Sequence, residues 1–246
     1  MSLALKLALS PLLVAQALRT RARVPRLPEA AGPREGVAGR GGPHLRLLVA
    51  GDSSAAGVGV SRQDDALAAP LARELARRCG AEVHWQLVAR SGTTSEQTWA
   101  LLEEAMPEVA DIAVIVTGVN DVVDQVASQR AVRARERIAN GLRNRVGVRH
   151  IVFCPLPPVH RFPALPQPLR WMAGADARRH NRALREWVDV RAAALGDVSF
   201  APLDELRLDA GTMASDGFHP GKPAYRQVSI AVAQHIAGSV WPKLAG

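Results

Sequence analysis

The ten residues LRLLVAGDSS at positions 45–54 decide the fold of this chain. The run over residues 46–50, which is apolar after Arg46, is typical of a parallel strand that is covered on both faces. Glycine, aspartate and serine follow it directly, which places Ser53 at the carboxyl end of the first predicted strand. Because ligands bind at the carboxyl ends of the strands in open parallel sheets, Ser53 is a candidate for chemistry.

Beyond Ser54 the sequence alternates between strand and helix patterns. Strands are predicted over residues 82–89, 112–117, 150–154 and 198–201, and helices over residues 65–78, 95–105, 126–146, 176–194 and 225–240. Such alternation predicts a parallel sheet with helices on both faces. We therefore expect an α/β fold, a three-layer α/β/α sandwich around a five-stranded, mostly parallel sheet.

The amino terminus has a composition of its own. Residues 2–18 are rich in leucine and alanine, and arginines follow at positions 19, 21, 23 and 26. The apolar stretch contains Lys6 and is short for a membrane span. It is expected to lie on a membrane surface or to pack on the protein's own apolar surface. The arginines argue against a cleaved signal peptide, so secretion ranks behind a membrane-associated or cytoplasmic protein.

Residues 27–43 are rich in proline, glycine and charge. This composition predicts an extended connector without helix or strand. We therefore divide the chain into an apolar or amphipathic segment with its connector, residues 1–43, and one domain over residues 44–246.

Charge and composition exclude several kinds of site. The formal net charge is +8, but the basic residues are scattered and nearly all are arginine, so no nucleic-acid partner is predicted. Cys79 and Cys154 form neither a disulfide framework nor a metal spacing. The histidines without metal-ligand spacing are interpreted as structural or surface residues: His44, His84, His150, His160, His180 and His235. We predict no metal and no organic cofactor.

Two further segments supply what a serine hydroxyl needs in order to attack. GVND at positions 118–121 follows a strand pattern, and DGFHP at positions 216–220 precedes the last predicted helix. A nucleophilic serine needs an imidazole base, an orienting carboxylate and oxyanion donors. Asp216 and His219, three residues apart, can form the carboxylate–imidazole pair. The alternatives are capping roles for Ser53 and Asn120 and a plain loop role for His219.

Taken in chain order, GDS at 51–53, Gly92, GVND and DGFHP resemble the SGNH hydrolases, also called the GDSL family, over about residues 45–240. The resemblance implies a flavodoxin-like sheet and an ester-hydrolysing enzyme. It makes Ser53 the nucleophile, His219 the general base and later the acid, and Asp216 the residue that orients His219.

The resemblance also implies an oxyanion hole made of the backbone amides of Ser53 and Gly92 and the side chain of Asn120. Two positions depart from the family pattern. Ser54 stands where the family name has leucine, and Arg90 stands where asparagine is more usual, two residues before the glycine. Asp121 receives no role from the sequence.

The sequence therefore predicts a serine esterase that acts on carboxylic esters of short to medium acyl chains through an acyl-serine intermediate. The alternatives are a carbohydrate O-acetyl esterase, a lysophospholipase or thioesterase, and a non-enzymatic membrane-associated scaffold. The expected partners are an ester substrate and, through residues 2–18, a membrane surface. Four apolar residues behind the fourth strand are expected to line an acyl-binding wall or simply to pack that stretch: Phe162, Leu165, Leu169 and Trp171.

Overall fold

One six-stranded sheet runs through the molecule. The computed structural model describes residues 3–203 and 209–245. Its strands are β1 (Glu35–Ala38), β2 (His44–Gly51), β3 (Glu82–Ala89), β4 (Ile112–Val116), β5 (His150–Phe153) and β6 (Val198–Phe200). Their order across the sheet is β1-β3-β2-β4-β5-β6. All neighbours are parallel except β1, which pairs antiparallel with β3. Without β1 the order is that of flavodoxin-like sheets.

The expected α/β fold is confirmed, but the strand count of five is wrong by one. The additional strand, β1, lies in the stretch that the composition marks as a connector. It pairs residue by residue with β3, from Glu35 opposite Gln86 to Ala38 opposite Val83. The strand has only four residues, which is too short for a recognisable periodicity. Its conformation is decided by pairing with a distant segment.

Helices cover both faces of the sheet. The helices of the described residues are α1 (Leu3–Arg23), α2 (Ser53–Ala56), α3 (Ala68–Cys79), α4 (Ser95–Ala105), α5 (Val119–Val123), α6 (Ser128–Gly141), α7 (Leu169–Leu195), α8 (Lys222–His235) and α9 (Trp241–Ala245). Alternate residues of β2 enter two separate cores. Leu47 and Val49 pack with α3 and α8, whereas Leu48 and Ala50 pack with α4, α6 and α7. A strand buried on both faces is therefore the reason for the continuous apolar run.

Helix α7 begins earlier than the sequence predicts. It starts at Leu169, directly after Pro168, and not at about residue 176, so Leu169 and Trp171 belong to the first turn of the helix. Gly174 is a packing position on this helix. A Cβ at Gly174 would lie 2.5 Å from the Cβ of His160, so glycine lets the two segments approach closely.

Helix α1 is anchored on the domain at its middle. The Gln16 side chain donates to the Gln167 carbonyl oxygen at 2.7 Å and accepts from the Leu169 amide at 3.1 Å. Leu12, Val14 and Leu18 are exposed. Among residues 3–203 and 209–245, no helix combines the length and the apolarity that crossing a membrane requires.

Candidate active site

The three loops that follow β2, β3 and β4 meet at one edge of the sheet. Strand β2 lies between β3 and β4 and is parallel to both, so their carboxyl ends are adjacent. Ser53 is the first residue of α2 after β2, Gly92 lies in the turn after β3, and Asn120 lies in α5 after β4. The fold thus delivers the three residues to the edge where parallel sheets bind ligands.

Ser53, His219 and Asp216 form one line of hydrogen bonds. The Ser53 Oγ lies 3.0 Å from the His219 Nε2, and the His219 Nδ1 lies 2.6 Å from the Asp216 Oδ2. An ionised carboxylate can only accept hydrogen bonds. The proton therefore sits on Nδ1, and Nε2 is left as an acceptor for the serine hydroxyl. This is the tautomer that a general base requires.

Asp216 is held by its own loop. Its Oδ1 accepts from the backbone amides of Phe218 and His219, each at 2.9 Å, while its Oδ2 faces the imidazole. Burial opposes ionisation of the carboxyl, but the hydrogen bonds from the His219 ring and from the two amides outweigh it and lower the pKa of Asp216. The carboxylate therefore stays charged and fixed beside the imidazole.

Asn120 is oriented by the turn that contains Gly92. Its Nδ2 donates to the Thr93 carbonyl oxygen at 3.0 Å. A side-chain amide carries two N–H groups, so one of them fixes the side chain and the second can serve a ligand. Gly92 has a φ of +81°, in the left-handed region that glycine favours. The two sequence-predicted donors thus belong to one hydrogen-bonded unit.

A buried ion pair between Asp121 and Arg135 lies next to this unit. Only Asp121 of this pair is named in the sequence analysis. Asp121 accepts from the amide and the hydroxyl of Ser95, and its Oδ2 lies 3.5 Å from the Nη2 of Arg135. Arg135 also donates to the Thr117 carbonyl oxygen at 2.8 Å. Both charged side chains are only 1% exposed. Asp121 therefore ties the start of α4 to the turn after β4.

Arg135 explains why residue 118 is glycine. A Cβ at Gly118 would lie 2.1 Å from the Arg135 Nη2, and the residue has a φ of +134°. The sequence held one signal for this arginine, because it shares the buried face of α6 with Ala131 and Ile138. A charged residue in the apolar stripe of a helix needs a buried partner.

Asp52 is a third buried carboxyl at this edge. It caps α2 by accepting from the Ser54 amide at 3.0 Å. Burial raises its pKa to about 6, despite hydrogen bonds from Ser54 and Gly118 and the attraction of His219. The GDS tripeptide therefore contributes a weakly acidic carboxyl next to the serine as well as the serine itself.

The residues expected to line an acyl wall do not all lie together. Phe162 and Leu165 are buried in one apolar cluster, against which Leu169 and Phe218 pack. The Phe162 and Phe218 rings meet edge to face at 5.2 Å, and Phe218 contacts the His219 ring at the same distance. Trp171 is 45% exposed and lies outside this cluster. Phe218, which the sequence reasoning did not single out, is the aromatic residue beside the imidazole.

Comparison with known proteins shows the family of the chain. The family model for the GDSL-like lipase/acylhydrolase family matches residues 49–227. A protein of Mycobacterium tuberculosis named GDSL-like esterase Rv1075c is 30% identical over 237 residues, which cover 87% of this chain and 72% of that protein.

Two solved structures resemble the fold. The crystal structure of TesA is 25% identical, with a TM-score of 0.57 over 78% of this chain and 97% of that one. A family 3 carbohydrate esterase of Clostridium thermocellum is 18% identical, with a TM-score of 0.62 over 82% of this chain and 100% of that one. The matched blocks, the fold and these relatives together show that the chain is an ester-hydrolysing enzyme and belongs to the GDSL-like lipase/acylhydrolase family.

Proposed function

We propose that the chain hydrolyses carboxylic esters of short to medium acyl chains with Ser53 as the nucleophile. The observation that carries the proposal is the line of hydrogen bonds from Ser53 through His219 to Asp216, at 3.0 and 2.6 Å. We assign this chemistry to the domain over residues 44–246. Strand β1, which lies before residue 44, adds one edge strand to the sheet of this domain.

The first half-reaction forms an acyl-enzyme. The Ser53 oxygen attacks the ester carbonyl carbon while its proton passes to the His219 Nε2. The carbonyl π electrons move onto oxygen and give a tetrahedral oxyanion. When this intermediate collapses, the carbon–oxygen bond to the alcohol breaks, and the His219 imidazolium returns the proton to the leaving alkoxide.

The second half-reaction repeats these steps with water. The water oxygen attacks the acyl carbon while His219 takes a proton from the water. His219 then gives that proton to the Ser53 oxygen as the bond from this oxygen to the acyl carbon breaks. The products are a carboxylic acid and the regenerated serine. Asp216 stays ionised throughout and stabilises the imidazolium. No cofactor takes part, because proton transfer and acyl transfer both run on side chains.

We assign the oxyanion hole to the amides of Ser53 and Gly92 and the side chain of Asn120. Support comes from the hydrogen bond between the Asn120 side chain and Thr93, the residue after Gly92. Donors held before the reaction need no reorganisation when charge develops on the carbonyl oxygen, and this pre-positioning is a large part of esterase catalysis.

We place the acyl group against Phe218, with Phe162 behind it. The two rings meet edge to face, and Phe218 touches His219. Phe162 and Leu165 are buried and support this wall from behind. A small apolar wall of this kind suits short and medium acyl chains, and it is the basis for preferring them to long ones.

The test combines covalent labelling with a substrate series. A fluorophosphonate should add once, at Ser53, as located by peptide mass spectrometry, and Ser53→Ala should abolish both labelling and hydrolysis. Ser54→Ala is the matched control, because it removes a neighbouring hydroxyl while retaining the backbone amide that bonds to Asp52. Labelling at another residue, or an active Ser53→Ala enzyme, would refute the assignment.

The same preparation should be assayed on p-nitrophenyl esters from acetate to palmitate. Acetylated sugars, lysolipids and acyl thioesters are assayed in parallel. We expect the highest kcat/KM at acyl chains of two to about eight carbons. A preference for acetylated sugars or for lysolipids would replace this proposal with one of those two substrate classes.

We further propose that α1 brings the enzyme to an anionic membrane surface. Leu12, Val14 and Leu18 are exposed on α1, and the arginines at positions 19, 21, 23 and 26 are exposed beside them. Exposed apolar side chains followed by arginines suit a surface of anionic lipids. Deletion of residues 1–26 should abolish flotation with phosphatidylglycerol vesicles and leave hydrolysis of a soluble ester unchanged. Undiminished flotation of the truncated protein would overturn this part of the proposal.

A further inference from the structure

A cluster of two histidines and a glutamate lies at the amino ends of β2 and β3. Ser53 follows the opposite, carboxyl end of β2. His44 is the first residue of β2, and Glu82 and His84 are the first and third residues of β3. In the parallel register His44 is paired with Glu82. Side chains two residues apart on a strand lie on the same face, so Glu82 and His84 stand side by side next to His44.

The three side chains already approach one another at their ligand atoms. The Glu82 Oε1 lies 2.9 Å from the His84 Nε2 and 3.4 Å from the His44 Nδ1. One ligand atom from each residue lies within 4.8 Å of the other two. Tetrahedral zinc with bonds of about 2.1 Å separates its ligand atoms by about 3.4 Å. The separation of Glu82 and His44 matches that spacing, and the separation of Glu82 and His84 is about 0.5 Å shorter.

The surroundings favour a cation at this position. The Glu82 carboxyl has a lowered pKa because of its contacts with His84 and with the Gly41 backbone, so it is ionised and able to bind a cation. Arg46, which stands opposite His84 in the register, is paired with Asp111 at 2.7 Å. The nearest arginine on β2 is therefore already neutralised by a carboxylate of its own.

We infer that His44, Glu82 and His84 form a binding site for a divalent transition-metal ion, with Zn²⁺ as the first candidate. Two imidazoles and one carboxylate suit zinc, and water completes the coordination. Calcium and magnesium prefer all-oxygen sites and are not expected to bind. The ion cross-links the amino ends of β2 and β3, so its role is to stabilise the sheet and not to take part in ester hydrolysis.

The sequence did not predict this site because His44 lies 38 residues before Glu82 and 40 residues before His84. Glu82 and His84 alone make a two-residue spacing that carries no metal signal. Only the parallel pairing of β2 with β3 brings His44 to them. The interpretation of His44 and His84 as plain surface residues follows from chain spacing alone.

The experiment uses the full, tag-free chain after treatment with a chelator and buffer exchange. Zn²⁺ is titrated by calorimetry, and thermal unfolding is followed with and without the ion. We expect one ion per chain, a higher Tm with zinc, and at least a tenfold loss of affinity in His84→Ala and in His44→Ala. His160→Ala, which removes an exposed histidine elsewhere, is the matched control and should bind like the unaltered chain.

Two results would overturn the inference. One is zinc binding of unchanged affinity in the double variant His44→Ala/His84→Ala, which would place the ion elsewhere. The other is the absence of calorimetric binding by the unaltered chain up to millimolar zinc. Soluble-ester hydrolysis is measured in the same samples, and a loss of activity after metal removal that zinc restores would overturn the non-catalytic role.

Discussion

The sharpest test of the candidate site is Asp216→Asn. Asp216 divides its two oxygens between separate tasks, with Oδ1 on the amides of Phe218 and His219 and Oδ2 on the imidazole. In the variant, the side-chain oxygen keeps the two amides and the NH₂ group then faces the His219 Nδ1. That group is a donor, so the imidazole must present Nδ1 as an acceptor and carry its proton on Nε2. The base is then blocked towards Ser53.

The expected loss is large because the wrong tautomer cannot accept the serine proton. In serine hydrolase triads this substitution lowers kcat by about 10⁴, which corresponds to about 5 kcal/mol of transition-state stabilisation. The fold should survive, since both backbone hydrogen bonds to Oδ1 are retained. Asp216→Ala is the contrasting variant, because it removes those bonds as well and should lower both activity and the free energy of unfolding.

The assay is kcat/KM on p-nitrophenyl acetate, with urea unfolding of the same samples. The lowered pKa of Asp216 means that its charge stabilises the folded state at neutral pH and that this contribution disappears as pH falls through the folded-state pKa. The stability difference between the unaltered chain and Asp216→Asn should therefore shrink in acid. If Asp216→Asn retains more than a tenth of the activity, Asp216 does not set the tautomer of His219 and the reasoning fails.

Three further substitutions probe the groups around this pair. Asn120→Ala should lower kcat by about 10²–10³ with little change in KM; a change confined to KM would make Asn120 a substrate-binding residue. Burial raises the pKa of Asp52 to about 6, so this carboxyl destabilises the fold once it ionises. Relative to the unaltered chain, Asp52→Asn should therefore gain up to about 3 kcal/mol in free energy of unfolding between pH 4 and pH 8. Urea titrations in which the two proteins have parallel pH profiles would contradict this. Arg135→Met should cost about 3–5 kcal/mol by leaving Asp121 buried and uncompensated, and urea unfolding should show most of that loss recovered in Arg135→Met/Asp121→Asn.

Local signals predicted much of the fold. Strand β3 and helix α4 have the bounds that the sequence predicts. Helix α4 opens with a capping box in which Thr94 and Gln97 satisfy each other's backbone amides, and such a start is written in adjacent residues. Likewise, the pairing of Asp216 with His219 lies within one loop and needs no knowledge of distant contacts.

The features that escaped the sequence depend on partners far away in the chain. Strand β1 exists because β3 offers it an edge. Arg135 meets Asp121 across two helices, and its place in the apolar stripe of α6 indicates burial without indicating its partner. His44 meets Glu82 only through the register of two parallel strands. Composition and periodicity describe one segment at a time, so they predict none of these three pairings.

Three buried carboxyls at the active edge are given different electrostatic roles by their surroundings. Asp121 is paired with Arg135, and Asp216 is held ionised by three donors. Asp52 accepts from the Ser54 amide, and its pKa is raised to about 6 by burial while the attraction of His219 lowers it. Burial of the ionised Asp52 thus opposes folding at neutral pH, whereas the charges of Asp121 and Asp216 are held by donors beside them.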